Sequence, residues 1–282
     1  MGTDRPRVVL ITGASSGIGK VCAEHLHRRG YQVYGTSRRA PKYPDGLATI
    51  TTQPGTFHLV PMDVTSDESV EQGIQWILNQ EGRVDIVVNN AGYGLAGALE
   101  DTRLEEAKAQ VETNFFGIVR VCQAVLPGMR EQGGGYIINI SSIGGLVGIP
   151  FQSLYSASKF AVEGLTESLR IEVKPYRIKV ILIEPGDFKT NITINRCKTE
   201  TSELSSAYHS EFTKALGVME ADEMNGPTPE RISNLLERII TTKSPRLRYV
   251  IGPASEKLII GLKKIILPGA FEWLLMKYYK LT

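Results

Sequence analysis

Tyr155 and Lys159 stand at i and i+4 in Tyr155-Ser156-Ala157-Ser158-Lys159, with Ser142 upstream at the end of an apolar run. On a helix such a pair shares one face about one turn apart, which brings the Lys159 ammonium near the Tyr155 phenol. A free phenol titrates near ~10, too high for a base at neutral pH. A cation within ~4–6 Å favours the phenolate by about 1–3 units. Ser142 adds a hydroxyl able to hold a carbonyl or alcohol oxygen. The chemistry these types allow is proton transfer to or from an oxygen. A Tyr–Lys pair alone equally marks an amphipathic surface; this one lies downstream of a glycine turn and of a strand ending in Ser141-Ser142.

That turn is Thr12-Gly13-Ala14-Ser15-Ser16-Gly17-Ile18-Gly19, directly after the apolar run Val8–Thr12. Glycine permits the tight turn and lets backbone approach a pyrophosphate at a helix N-terminus, where free N–H groups and the helix dipole favour an anion. Gly13, Gly17 and Gly19, with Ser15, Ser16 and Ile18 between them, are therefore expected to cradle a cofactor. The spacing is G-x-x-x-G-x-G, not the dinucleotide fingerprint G-x-G-x-x-G, and a plain strand–helix connection is the competing reading. A second strand ends about twenty residues later, which favours binding. An acidic residue there would hold a ribose 2′-hydroxyl and select NAD. The chain has Thr36-Ser37-Arg38-Arg39, with no carboxylate before Asp45. Arg38 suits a 2′-phosphate through its planar fork; Arg39 stands equally as a second ligand or a solvated charge. Ser15 and Ser37 offer hydroxyl donors. NADP(H) is the expected cofactor, and its oxidised nicotinamide would also favour a phenolate.

TGASSGIG, Asp63, Asn89-Asn90-Ala91-Gly92, Asn114, Ser142, Tyr155, Lys159 and Pro185-Gly186 resemble, in order and spacing, the short-chain dehydrogenase/reductase superfamily over about residues 7–253. The resemblance implies a catalytic tetrad of Asn114, Ser142, Tyr155 and Lys159. Tyr155 would move the proton, Lys159 would lower its pKa and hold the nicotinamide ribose, and Ser142 would orient the substrate oxygen. Asn114 would anchor the water through which Lys159 exchanges protons. Asp63 and Val64 would flank the adenine; Asn90, Ala91 and Gly92 would line the cofactor groove; Pro185, Gly186 and Thr190 would cover the nicotinamide. For Asn89–Gly92 a strand-end turn is the plainer alternative. VYGTSRR, NNAGYGLAGALED and the length after the last strand resemble the 17-beta-hydroxysteroid and retinol dehydrogenase-like branch. That likeness implies an NADPH-dependent carbonyl reductase or alcohol dehydrogenase acting on lipophilic ketones, aldehydes or alcohols. A 3-ketoacyl-type reductase of lipid synthesis is the alternative enzyme, against which the tail after Pro253 counts. A non-catalytic NADP-binding regulator is the alternative outside enzymes, against which the intact tetrad counts.

These residues need a scaffold that presents strand ends and helix starts on one edge. Short β-branched runs alternate with amphipathic segments, so an α/β, Rossmann-like, doubly wound parallel sheet of about seven strands with helices on both faces is expected. The strands are Val8–Thr12, Gln32–Thr36, Thr56–Pro61, Ile86–Asn89, Gly135–Ser141, Lys179–Glu184 and Leu247–Ile251; the helices are Ile18–Arg29, Ser66–Glu81, Arg103–Gln132, Ser153–Lys174 and Pro229–Thr241. The catalytic domain is residues 1–253. Within it 191–226 is polar, lacks a clean period and reads as a substrate lid; Gly94–Leu99 and Ile143–Gln152 would complete the pocket. Tyr208 and His209 read as lid contacts or as solvated loop residues. Residues 254–282 form a C-terminal helical extension hinged at Leu267-Pro268-Gly269. Its surplus of apolar side chains and lysines fits packing on the domain, a lid, or peripheral membrane contact.

At 282 residues, with 42% hydrophobic and 22% charged residues and a net charge of +2, the chain suits one globular enzyme and gives no reason to expect nucleic acid. Three widely spaced cysteines and four histidines offer neither a disulfide framework nor a metal site. Cys22 and Cys122 fall in helical patterns and should pack internally. The polar Met1–Arg7 segment leads straight into a strand, and no run of ~18 apolar residues occurs. A cytoplasmic protein, peripheral membrane contact through the tail aside, is expected; the resemblance to short-chain dehydrogenases implies a homodimer or homotetramer, assembled through the helices 103–132 and 153–174.

Overall fold

The computed structural model describes residues 5–40, 50–51, 57–190 and 196–282. Val8–Ile11 (β1) is apolar at every position because both of its faces are covered: Val8 and Leu10 enter one core, Val9 and Ile11 the other. The remaining strands are Gln32–Ser37 (β2), Ile50–Thr51 (β3), His58–Pro61 (β4), Ile86–Asn89 (β5), Leu95–Ala96 (β6), Gly135–Ile140 (β7), Ile178–Pro185 (β8), Cys197–Lys198 (β9) and Arg248–Ile251 (β10). The main sheet runs β10-β8-β7-β5-β1-β2-β4-β3. Seven of its strands are parallel, and the two-residue β3 pairs antiparallel with β4 at the edge. The chain winds outward from β1 to β4, then crosses back to β5 on the other side of β1. That reversal opens a crevice at the carboxyl ends of β1 and β5, where open α/β sheets bind ligands.

Helices cover both faces. Gly17–Arg28 (α1) packs on one side; Asp67–Glu81 (α2), Leu104–Val111 (α3), Gly117–Glu131 (α4) and Ser153–Glu172 (α5) lie on the other. They are followed by Glu200–Leu204 (α6), His209–Asn225 (α7), Glu230–Thr241 (α8), Ala254–Lys263 (α9) and Pro268–Tyr278 (α10). The α1 residues Cys22, Ala23 and Leu26 join Ile232, Leu236, Ile239 and Ile240 of α8 in one core; Ile74 and Ile77 of α2 meet Val121 and Val125 of α4 in the other. Cys22 and Cys122 are buried, which pushes both thiols up to about 12; Cys197 is exposed.

The fold departs from the sequence pattern in two places. The expected helix 103–132 is not continuous. A π-helical turn, Glu112–Phe116, separates α3 from α4 and turns Thr113 and Asn114 inward. One wide turn of this kind re-aims side chains, which a 3.6-residue period cannot reveal. The second place is 191–226, whose described part holds β9, α6 and α7 rather than irregular chain. In α7, Phe212, Ala215, Leu216 and Met219 are all buried. Their i, i+3, i+4, i+7 spacing was a helical signal present in the sequence. The strand β9 pairs with β6 in a separate two-stranded parallel sheet, which ties this segment to the loop after β5.

Behind β8 the structure buries two acids together. Arg248 Nη1 lies 2.6 Å from Glu163 Oε2 and 3.4 Å from Glu184 Oε1, and its other nitrogen bonds Glu167. Glu184 is 0% exposed. Burial raises both carboxyls and outweighs the guanidinium, so Glu184 keeps a proton and donates it to Glu163. A carboxyl raised in the folded state binds more protons there than in the unfolded chain, whose value is the ordinary 4.5. Stability is therefore highest below the unfolded value and is lost as pH climbs toward the folded one. Heating curves should show the melting temperature of the wild type falling between about pH 5 and pH 8, less steeply in Glu184→Gln. Identical slopes in the two proteins would show that the pair is not protonated.

Candidate active site

The carboxyl ends of β1, β2, β5, β7 and β8 meet around a cavity of about 1160 Å³. At its floor, Gly13 and Gly17 have φ +67° and +55°, a region that favours glycine. A Cβ on Gly13 would come within 2.8 Å of Ala91 Cα, and one on Gly19 within 2.5 Å of Asn90 Nδ2 and 2.6 Å of the Gly13 carbonyl. The same Asn90 Nδ2 donates to the carbonyls of Thr12 (2.9 Å) and Gly13 (3.2 Å), while Thr12 Oγ1 accepts from the N–H groups of Asn90 and Ala91. Asn90–Gly92 thus both clips the turn to β5 and lines the groove. Gly13, Ser15, Ser16, Gly17 and Ile18 line the cavity at the start of α1; Gly19 lies beneath it. A tight glycine cradle opening on a helix N-terminus fits a pyrophosphate.

Arg38 and Arg39 line the cavity at the end of β2, exposed and without a carboxylate partner among the described residues. Ser37 Oγ donates to Ser15 Oγ at 3.1 Å and accepts from the Arg39 N–H at 3.1 Å, so β2 and the glycine turn are stitched together beside the two guanidiniums. Val64 lines the cavity and packs on Gly117. Asp63 does not line it: its Oδ1 accepts from Thr65 N–H and Oγ1, at 3.0 and 2.8 Å, and shapes its own loop.

The helix α5 and the end of β7 supply the reacting groups. Tyr155 is half-buried, and its phenol is hydrogen-bonded to the Ser142 hydroxyl. The Gly144 N–H donates to Ser142 Oγ at 3.0 Å. Lys159 Nζ donates to the Ile140 carbonyl at 2.9 Å and lies 5.8 Å from the Tyr155 ring centre. Burial pulls Lys159 down to about 8, against the pull of Glu163. The expected lowering of Tyr155 by Lys159 is not what the protein produces. Burial raises the phenol; Ser142 and Arg196 oppose that, Asp187 and Glu223 add to it, and Lys159 is not among the main causes. Asn114 is fully buried, accepts from the Tyr93 N–H at 3.1 Å, and donates to the Tyr93 carbonyl at 3.0 Å and Ser158 Oγ at 3.2 Å. It braces the loop after β5 against α5 and does not line the cavity.

Pro185, Gly186 and Thr190 line the opposite wall, as do Gly94, Leu95, Ile143, Ile149 and Gln152 from the expected pocket segments. Tyr208 and His209 lie elsewhere: the Tyr208 hydroxyl donates to Glu100 at 2.9 Å, and His209 Nδ1 pairs with the Ser202 carbonyl at 3.1 Å. Several lining residues carried no local signal, namely Asp187, Arg196, Met219, Asp222, Glu223 and Tyr279. The last belongs to the C-terminal extension, which sits on the cavity. Its Glu256 accepts from the Asp187 N–H at 3.1 Å, its Tyr278 hydroxyl donates to Asp222 at 2.6 Å, and its Phe271 is buried. Pro268 opens α10, where a missing N–H is harmless.

A family model described as short chain dehydrogenase matches residues 7–201. The chain belongs to the short-chain dehydrogenase family. It is 42% identical over 275 residues to a 3-ketodihydrosphingosine reductase of Bacteroides thetaiotaomicron, with 98% of each chain covered. It is 37% identical over 259 residues to retinol dehydrogenase 8 of Bos taurus, covering 87% of this chain and 81% of that one. A short-chain dehydrogenase from Streptomyces avermitilis superposes with a TM-score of 0.79 at 32% identity, over 99% of this chain and 98% of its own. Solved structures of the same fold hold NADP+ in one case, at 26% identity, and NAD in another, at 23%. This short-chain dehydrogenase is thus an oxidoreductase of CH–OH groups on a Rossmann-like fold.

Proposed function

We propose that this short-chain dehydrogenase is an NADPH-dependent reductase of a lipophilic ketone, with a long-chain 3-keto base of the 3-ketodihydrosphingosine type as its substrate. One observation carries the reading. A single cavity of about 1160 Å³ runs from Arg38 to Tyr155 and on beneath Ile143, Ile149, Phe188 and Met219. It exceeds the ~300–1,000 Å³ of ordinary small-molecule pockets, as a dinucleotide with a lipid beside it requires. Likeness to the Bacteroides reductase across 98% of both chains supports the choice of lipid.

Gly13, Gly17 and the start of α1 would hold the pyrophosphate, and Arg38 the 2′-phosphate. The reduced nicotinamide supplies the hydride when bound. Ser142 donates a hydrogen bond to the substrate carbonyl oxygen, and Tyr155 gives that oxygen its phenolic proton as the carbon becomes an alcohol. A phenol raised by burial is fully protonated at neutral pH, which is the state a proton donor needs. Lys159, close to half-ionised around pH 8, can return a proton to the tyrosine and hold the ribose hydroxyls. Ketone and aldehyde substrates therefore fit the resting enzyme better than alcohols do.

The test is NADPH oxidation against a panel of 3-ketodihydrosphingosine, retinal, a steroid ketone, a 3-ketoacyl thioester and a small polar ketone. The long-chain base should give the highest kcat/KM. Preference for the thioester would move the assignment to a 3-ketoacyl-type reductase, and turnover of the polar ketone alone would end the lipid reading.

A further inference from the structure

The catalytic cavity has aliphatic walls but a charged roof. Asp187, Asp222, Glu223 and Arg196 all line it together with Tyr155 and Ser142. Their charges reach the reacting groups: Asp187 and Glu223 act on the Tyr155 phenol in one direction and Arg196 in the other. The roof therefore shares the cavity with the carbonyl site and lies within electrostatic reach of it.

Arg196 is the informative member. Its side chain is 3% exposed and bonds Glu223 through Nη2. Its Nε and Nη1 are buried with no hydrogen-bond partner among the described residues. A buried donor left unmet costs about 1–3 kcal/mol, more when charged. Arg196 itself lines the substrate cavity, and an acceptor oxygen brought in by the ligand is what these two donors beneath its surface lack.

The acids point to the ligand's other group. Glu256 of α9 reaches the roof through a gap that only glycine leaves, since a Cβ on Gly186 would come within 1.5 Å of its Oε2. It accepts from the Asp187 N–H through both oxygens, at 3.1 and 3.3 Å. Burial and mutual repulsion keep a proton on this pair. Asp222 accepts one bond from Tyr278. Even with that shared proton and Arg196 counted against them, the four carboxyls leave the roof negative. A cation in the ligand would neutralise it.

We propose that this roof is a headgroup site for a lipid carrying an amine and a hydroxyl beside its ketone, with Asp222 and the singly charged Asp187–Glu256 pair taking the ammonium and Arg196 the hydroxyl oxygen. The proposal rests on the lipid-ketone reading of the cavity and adds what selects among lipid ketones. An ammonium bonded to half-buried carboxylates is worth roughly 10–150-fold in preference, the equivalent of charged hydrogen bonds of about 1.5–3 kcal/mol. A retinoid or a simple acyl ketone offers the roof no charge and should be handled poorly.

The test compares three ketones of equal chain length with NADPH and the full-length enzyme: the amino ketone, its N-acetyl amide, and the ketone without the amine. The amino ketone should exceed the other two in kcat/KM by at least ~10-fold. Asp222→Asn keeps an acceptor for Tyr278 and removes the charge, so it should bring that ratio toward one. Arg196→Met should lower the kcat/KM ratio between the amino ketone and its analogue lacking the hydroxyl, with NADPH affinity held. Equal kcat/KM for the three ketones would overturn the headgroup site and leave the lipid reading standing. So would a ratio that Asp222→Asn does not move, or an Arg196→Met variant whose only defect is weak NADPH binding. If no ketone turns over, the lipid reading fails; calorimetry with NADP+-loaded enzyme then still decides the roof. Tighter binding of a long-chain amino diol than of the same diol without the amine supports it, and equal binding refutes it.

Discussion

Tyr155→Phe is expected to lower kcat by about 10²–10⁴-fold while NADPH still binds. The substitution removes one oxygen and keeps the ring, which packs 3.1 Å from where a Gly144 side chain would begin. Ser142 keeps its bond from the Gly144 N–H, so the end of β7 is not released. What disappears is the proton donor alone. Single-turnover oxidation of NADPH isolates the chemical step, and cofactor fluorescence measures binding separately. Lys159→Met should behave differently, since Nζ anchors to the Ile140 carbonyl and would hold the ribose hydroxyls on the proposed reading; both turnover and cofactor affinity should fall. The wild-type reduction rate should decline as pH rises through about 8, where Lys159 loses its proton. Retention of more than about a tenth of kcat in Tyr155→Phe would remove the tyrosine from the mechanism.

The parts of this site that the sequence announces are those whose geometry is local. Tyr155 and Lys159 are one helical turn apart, Ser142 follows an apolar strand, and the glycine turn joins β1 to α1. Each needs only the secondary structure around it. The seven parallel strands were legible for a similar reason: with both faces buried, runs such as Val8–Ile11 and the 86–88 part of β5 are apolar throughout. The roof is different. Arg196 and Glu223 lie 27 residues apart, Asp222 and Tyr278 56, and Asp187 and Glu256 69. No periodicity links such pairs, and in the sequence each is an ordinary charged or aromatic residue in a polar stretch. Asn114 illustrates the middle case. Its place in a motif was visible, but the π-helical turn that points it at Tyr93 was not. The tyrosine's titration was misjudged because spacing reports proximity and says nothing of desolvation, and here burial is the larger effect.

Ser37→Asp should invert cofactor choice. In the wild type, kcat/KM with NADPH should exceed that with NADH by at least ~10-fold, because charge-assisted bonds to a phosphate contribute about 1.5–3 kcal/mol. The donors are in place: Arg38 lines the cavity at the end of β2, with Ser37 and Ser15 beside it. Position 37 is buried in the floor between the glycine turn and the arginines, and its oxygen accepts the Arg39 N–H at 3.1 Å. A carboxylate there keeps that bond, so the backbone of β2 has no reason to move. It would also stand against a 2′-phosphate of the same sign, and could accept from a 2′-hydroxyl instead. Its charge would draw the Arg38 guanidinium to itself, weakening the phosphate site a second time. Arg38→Ala removes the attraction without adding repulsion, so it should bring the ratio near one but not below it; Arg39→Ala tells whether the second guanidinium contributes at all. The four proteins differ only in this corner of the cavity, so the NADPH-to-NADH ratio with one ketone reads the corner directly. A wild type that uses both cofactors equally would show that Arg38 is a solvated surface charge, and the 2′-phosphate site would have to be given up.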